Sequence, residues 1–341
     1  MIRAGLSGGG TMARTRTALA ALVGTVVLVA TACYPPSQNP TAQPIPPGGR
    51  VVATGPLLTE MWIEDATDDL SKIVYGQADF VLSLDRLPHR FWVYDDETGT
   101  TTQVPVGRAE YGQASLSPDG RSIVFASNDR TLQVGPTAVN CLKLGAFFDP
   151  DVPYVCNELY LFDLDSGEVR QLTGLDGSSE VNHTSPTFTA DGQAIEFQSV
   201  PQPQWAPTPT YHRLDLATGE IEDSTPLATP TTWDRGTHVV TWDSATQTLT
   251  SQDTVTGDVD TLWDGSEPYS FRRAIADGRF IVLSYWKTDR LELFKLIDTD
   301  TGQVRSVSSP WISEDASKYA VVQLNVLPDA TDRLIIAPLP G

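Results

Sequence analysis

Two kinds of tight turn alternate along the chain from about residue 50 onward, and that alternation limits the fold more than any single motif. The first kind precedes a β-rich run. Ser117-Pro118-Asp119-Gly120 leads into RSIVFAS, Ala190-Asp191-Gly192 into QAIEFQS, and Ala276-Asp277-Gly278 into RFIVLSY. Looser copies are Asp234-Arg235-Gly236 before THVVTWD, Asp68-Asp69-Leu70 before SKIVYGQ, and Pro328-Asp329-Ala330-Thr331 before DRLIIAP. The second kind is a strand running into Thr-Gly or Ser-Gly, in FWVYDDETG, LYLFDLDSG, YHRLDLATG, LTSQDTVTG and FKLIDTDTG, ending at Gly99, Gly167, Gly219, Gly257 and Gly302. Glycine supplies the positive φ that such turns need, and the preceding Asp or Thr caps them. Each repeat therefore reads as two hairpins, or four antiparallel strands.

The two turn types are separated by 27 residues in one copy (192 to 219), 21 in the next (236 to 257) and 24 in the next (278 to 302). The copy from 120 to 167 takes 47, because an insertion at about 129–157 carries Cys141 and Cys156. Units of four strands repeated in this way predict an all-β fold, a β-propeller over residues 50–341 with six blades, seven being the alternative. A two-layer sandwich does not explain why the turn types alternate in order. The last unit lacks a Thr-Gly turn, so RVVATGPLL at 50–58 is expected to supply its missing strand, joining the first and last segments and removing an open edge. SPDGRSIVFAS followed by NELYLFDLDSGEVRQLT resembles the repeat of the TolB-type six-bladed propellers, closely over residues 111–174 and fairly over 185–225 and 268–309.

The N-terminus carries a different signal. Arg14 and Arg16 precede a 16-residue, largely apolar run from Thr17 to Ala32, closed by Ala30-Thr31-Ala32-Cys33. The run is shorter than the roughly 20 residues a membrane span needs and ends in small residues, so residues 1–32 read as a signal peptide and Cys33 as a lipidation site. Met12 is expected to be the true start. Tyr34 to Gly49 contains six prolines and few apolar residues. It reads as a polyproline II tether, on the order of 50 Å long at about 3.1 Å per residue. A lipid-anchored, extracytoplasmic protein of the bacterial envelope is the expectation, touching the membrane through its lipid alone.

With the three arginines of the signal removed, 20 basic residues face 43 acidic ones, for a formal charge of −23. Such a surface repels nucleic acid and anionic headgroups. Once Cys33 is assigned to the lipid, Cys141 and Cys156 remain as one pair, expected to form a disulfide in an oxidising compartment.

Catalytic signals are sparse. Gly5-Leu6-Ser7-Gly8-Gly9 satisfies G-x-S-x-G but stands ahead of the apolar run, away from any strand-turn-helix context. His89, His183, His212 and His238 are scattered, without the spacing of a zinc site. Asp163-Leu164-Asp165 and Asp298-Thr299-Asp300 resemble the start of a calcium loop but lack its closing glutamate, and read as structural turns. No cofactor and no metal is expected. Asn182-His183-Thr184-Ser185-Pro186 departs from the plain repeat. The TolB resemblance implies that this stretch leads the innermost strand toward the central channel, where His183 would either contact a ligand at the mouth or bond between blades. Trp205, Trp233 and Trp286 are candidates for holding a sugar or small ligand. The leading expectation is a monomeric binding or scaffolding propeller for another envelope protein. The alternatives are a hydrolase of lactone, ester or glycan bonds with a metal in its channel, and a carbohydrate or small-ligand binder.

Overall fold

The computed structural model describes residues 45–56, 59–79, 89–106, 114–128, 132, 156–175, 181–201, 208–225, 232–288, 291–307, 309–323 and 332–339. Met12, Cys33, most of the tether, Cys141 and Trp205 lie outside them. The first strand, β1 (Arg50–Thr54), stands apart from those that follow it. Blade 1 is β2 (Thr59–Ala66), β3 (Lys72–Asp79), β4 (His89–Asp95) and β5 (Thr100–Gln103). Blade 2 is β6 (Ala114–Leu116), β7 (Ser122–Ser127), β8 (Glu158–Asp163) and β9 (Val169–Gln171). Blade 3 is β10 (Val181–Phe188), β11 (Ala194–Pro201), β12 (Thr210–Asp215) and β13 (Ile221–Ser224). Blade 4 is β14 (Thr232–Asp234), β15 (His238–Asp243), β16 (Thr248–Asp253) and β17 (Val259–Trp263). Blade 5 is β18 (Ser270–Ile275), β19 (Phe280–Thr288), β20 (Leu291–Asp298) and β21 (Gln303–Val307). Blade 6 is β22 (Trp311–Ile312), β23 (Lys318–Gln323) and β24 (Arg333–Pro338), completed by β1, which pairs antiparallel with β24. Six four-stranded antiparallel sheets, closed by the N-terminal strand, make a six-bladed β-propeller.

The turns behave as their residues require. In the Thr-Gly type, an aspartate accepts the amides that follow it: Asp163 Oδ1 takes Ser166 N at 2.7 Å and Asp165 N at 3.1 Å, and Asp298 Oδ1 takes Asp300 N at 3.0 Å. These carboxylates cap their own turns, which is the structural reading of the two acidic pairs. In the Asp-Gly type, a hydroxyl at the turn's start donates to the aspartate, at 2.6 Å for both Ser117 to Asp119 and Thr189 to Asp191.

One turn differs from the sequence expectation. Pro328 to Thr331 fall between β23 and β24, whereas the first turn of the last blade is formed by Ser313 to Ser317. Ser313 Oγ donates to Asp315 Oδ1 at 2.6 Å, and the same oxygen accepts Ser317 N at 2.9 Å, repeating the geometry of Ser117, Asp119 and Arg121. Ala316 takes the positive φ (53°) where glycine stands elsewhere, so the repeat's most visible letter is missing.

Alternation along each strand sends neighbours to opposite blades. On β7, Ile123 and Phe125 pack with Phe91 and Val93 of blade 1, while Val124 and Ala126 pack with Ile195 and Phe197 of blade 3. Each fully buried side chain of this kind contributes roughly 1.5–3 kcal/mol. Similar clusters join blade 1 to 6, 4 to 5 and 5 to 6. Among the described residues, none joins blade 3 to blade 4.

Strand alternation also gives the propeller two unlike rims. Turns within the β2–β3 and β4–β5 type of hairpin, five residues or fewer in every blade, all lie at one rim. The strand ends that lead into the connections β3–β4, β7–β8, β11–β12 and β23–β24 lie at the other, together with the short β15–β16 and β19–β20 turns.

Candidate functional site

His183 stands near the start of β10, the first strand of blade 3, at the rim that carries the long connections. It pairs in register with Ser199 near the end of β11, and its Nδ1 lies 2.9 Å from Ser199 Oγ. Its Nε2 points across the blade boundary to Glu158 Oε2, at 3.7 Å, beyond hydrogen-bond reach. Both side chains are largely covered, at 13% and 4% exposure. Glu158 opens β8 and receives Thr173 Oγ1 at 2.6 Å, and Thr173 Oγ1 in turn takes Leu159 N at 2.9 Å. Asn182 Oδ1 accepts Asn157 N at 3.0 Å, and Asn157 O accepts His183 N at 3.1 Å. The Asn157 side chain is fully buried with neither polar atom partnered among the described residues.

Gly174 fits the back of this cluster. A Cβ there would stand 2.2 Å from Glu158 Oε1, so only glycine leaves the carboxylate its place. Beside the cluster, the His183 ring meets Phe197 edge-on at 5.3 Å, and Phe197 meets His212 at 5.4 Å.

Burial pushes the His183 imidazole down to about 4, and the neighbouring His212 adds to the shift. A carboxylate at 3.7 Å opposes this, but without a hydrogen bond to enforce it. The folded protein therefore keeps His183 neutral, whereas the unfolded chain protonates it near 6.5. The resulting stability is complete above 6.5 and is lost as pH falls toward 4, by roughly 3 kcal/mol at 1.36 kcal/mol per unit. The turn aspartates, such as Asp163 and Asp215, are lowered from 3.8 by backbone bonds, so their contribution is lost only at more acid pH. Urea midpoints at pH 7 and 4.5 should differ in the parent protein and converge in a His183→Gln variant. An unchanged difference in the variant would remove His183 as the source.

A second polar network lies along the inner strands. Arg273 on β18 pairs with Asp68 at 2.7 Å, joining blade 5 to blade 1, and its guanidinium lies 5.1 Å from the Trp311 ring of blade 6. Asp65 on β2 accepts Leu116 N at 2.9 Å and Ser115 Oγ at 3.0 Å from β6 of blade 2. Burial raises Asp65 above the usual carboxylate range despite these bonds. Both networks bind blade to blade. Among the described residues, no group of three or more His, Cys, Asp or Glu side chains is arranged to hold a metal.

Of the other sequence candidates, Cys156 is fully buried and directly precedes Asn157 of the cluster. Trp233 is taken up by the core, stacked on Phe271 at 5.4 Å and 9% exposed. Trp286 belongs to β19, and its side chain lies outside the described residues. Sequence reading singled out Asn182 and His183 but missed Glu158, Thr173 and Ser199. They sit in ordinary repeat positions, and only the packing of blade 2 on blade 3 brings Glu158 and Thr173 to the histidine.

The molecule is a six-bladed propeller whose second and third blades share a buried polar cluster. TolB from Acinetobacter baumannii is similar over 74% of this chain and 55% of its own, at 20% identity and a TM-score of 0.39. The chain thus spans little more than half the length of that protein. The putative TolB from Agrobacterium tumefaciens is similar over 86% of this chain and 94% of its own, at 14% identity and a TM-score of 0.43. For oligogalacturonate lyase from Vibrio parahaemolyticus the coverages are 85% and 98%, at 11% identity and a TM-score of 0.37. No protein-family model matches the chain, and no curated protein does.

Proposed function

We propose that this protein is a lipid-anchored, extracytoplasmic propeller that presents its rim of long connections to another protein of the bacterial envelope. The observation that carries this reading is the unlikeness of the two rims. One is made of turns of five residues or fewer, while the other bears the β7–β8 connection between Ser127 and Glu158. Binding loops held on a rigid scaffold are a common way to build a recognition surface. The hydrogen bonds that join Asn157 with Asn182 and His183, and His183 with Ser199, lie beneath that rim and hold the ends of β8, β10 and β11 in place.

The anchor belongs to the same proposal. Cys33 carries the lipid, residues 34–49 form the tether, and Cys141 pairs with Cys156 to staple the insertion. The full burial of Cys156 supports that pairing. A short disulfide loop of this kind contributes roughly 3 kcal/mol.

Site-specific photocrosslinking in cells tests the surface. A crosslinker at Leu175, 60% exposed in the connection from β9 to β10, should capture a discrete envelope protein, whereas one at Val255, on the opposite rim, should not. Equal capture from both positions, or none from Leu175, would sink the proposal. Labelling with an alkynyl fatty acid tests the anchor separately, and incorporation that survives Cys33→Ala would rule it out.

A further inference from the structure

We propose that blade 3 carries a binding groove for a short, linear, neutral glycan on the face turned away from blade 2. Ile195, Phe197 and Leu214 pack against blade 2, so strand alternation turns Glu196, Gln198 and Tyr211 to the other side. Register places Thr187 opposite Glu196, Gln198 opposite Tyr211, and Tyr211 opposite Ser224. With Ser185, Thr225, Phe197 and His212 they line a cavity of about 290 Å³ that crosses all four strands. At about 4.8 Å between strands, it runs on the order of 14 Å, room for a short chain of sugars.

Three observations mark this face as a site. It belongs to the one blade junction without a hydrophobic cluster among the described residues, so apolar packing does not claim it. Among the described residues, the side chains of Glu196, Gln198 and Tyr211 make no hydrogen bond or ion pair, although they converge on a cavity. Finally, the innermost strand bulges beside the groove between Thr184 and Thr187, as β2 and β18 do in their blades, but among the described residues of these strands only Ser185 holds a positive φ, of 52°. Bulges and strained residues gather where a strand must aim side chains at something.

The lining chemistry selects the ligand class. A carboxylate, an amide, a phenol and hydroxyls supply donors and acceptors for a ligand rich in hydroxyl groups, and the Tyr211 ring offers a face for sugar C–H groups. An extended peptide fits less well, because the backbone groups of β10 to β13 are already used in their own ladder and cannot add a strand to this face. A formal chain charge of −20 disfavours anionic ligands, and Arg213, in register with Glu196, pairs with Glu222 at 4.0 Å. A small apolar ligand would leave these polar groups unpaired.

Calorimetric titration of the whole protein with cellotetraose, maltotetraose and mannotetraose tests the inference. At least one should bind at millimolar concentration or below, and Tyr211→Ala and Glu196→Gln should each weaken it at least tenfold with an unchanged melting temperature. Tyr211→Phe, which keeps the ring, should retain most of the affinity and serves if Tyr211→Ala misfolds. The inference is overturned if none of the three binds, if the variants bind as the parent does, or if tetragalacturonate or an unstructured peptide binds more tightly.

Discussion

Replacing Gly278 with alanine is expected to destabilise this protein by about 2–5 kcal/mol, combining a left-handed backbone with overpacking. Gly278 has φ at +83°, and a Cβ there would stand 2.4 Å from both Cβ and Cγ of Trp233. Neither partner can yield. The tryptophan is wedged between blades 4 and 5 against Phe271, and Ala276 and Asp277 already hold positive φ values of 51° and 50°. Gly257 is the natural control, with a similar φ of +77° and nothing within 4 Å of its Cβ position. Its alanine variant should lose only about 1–2 kcal/mol. The melting temperature of Gly278→Ala should fall by on the order of 10 °C, given 2–4 °C per kcal/mol for a chain of this size. Similar losses in the two variants would show that the contact with Trp233 is immaterial.

The second large effect is expected from removing the chain through Thr54. Blade 6 would lose its fourth strand, because β1 pairs with β24 from Arg50 opposite Ile336 to Thr54 opposite Arg333. Val52 and Ala53 would also leave the cluster that joins blade 6 to blade 1. The unpaired backbone of β24 then becomes an edge open to other chains. Size-exclusion chromatography should show association, and denaturation should begin well below that of the parent. A truncated chain that stays monomeric with a melting temperature within a few degrees would refute the closure argument. The side chain of Arg50 accounts for little of this: it donates to Tyr94 Oη at 2.6 Å and pairs with Asp96, but it is half exposed. Arg50→Ala should therefore cost no more than about 1 kcal/mol.

Most of the architecture was legible because it is written locally. Asp-Gly and Thr-Gly turns bind their own amides within a few residues, as Asp119 and Asp163 do, so they can be recognised without knowing what packs around them. The same logic failed at the last blade, where Ser313 and Asp315 build the same turn but Ala316 replaces glycine. There the downstream run RLIIAP, which is β24, passed for a second strand of the blade when it is the third.

The candidate sites were only partly legible. Asn182-His183 stood out against the repeat, yet nothing near them in sequence names Glu158 as the carboxylate across the boundary or Thr173 as its donor. Glu196, Gln198 and Tyr211 read as the outward half of ordinary alternating strands, and their meaning depends on what the next blade places opposite.

By itself, then, the sequence determined the order and direction of the strands and the turns between them in the first five blades, and the return of residues 50–54 to the last, since each depends on φ preference, local capping and alternation. Which blade faces pack apolar and which are left polar, and which side chains meet His183, was decided only by the tertiary structure. Those contacts join residues 16 to 205 positions apart, from His183 with Ser199 to Arg273 with Asp68, and no local preference encodes them.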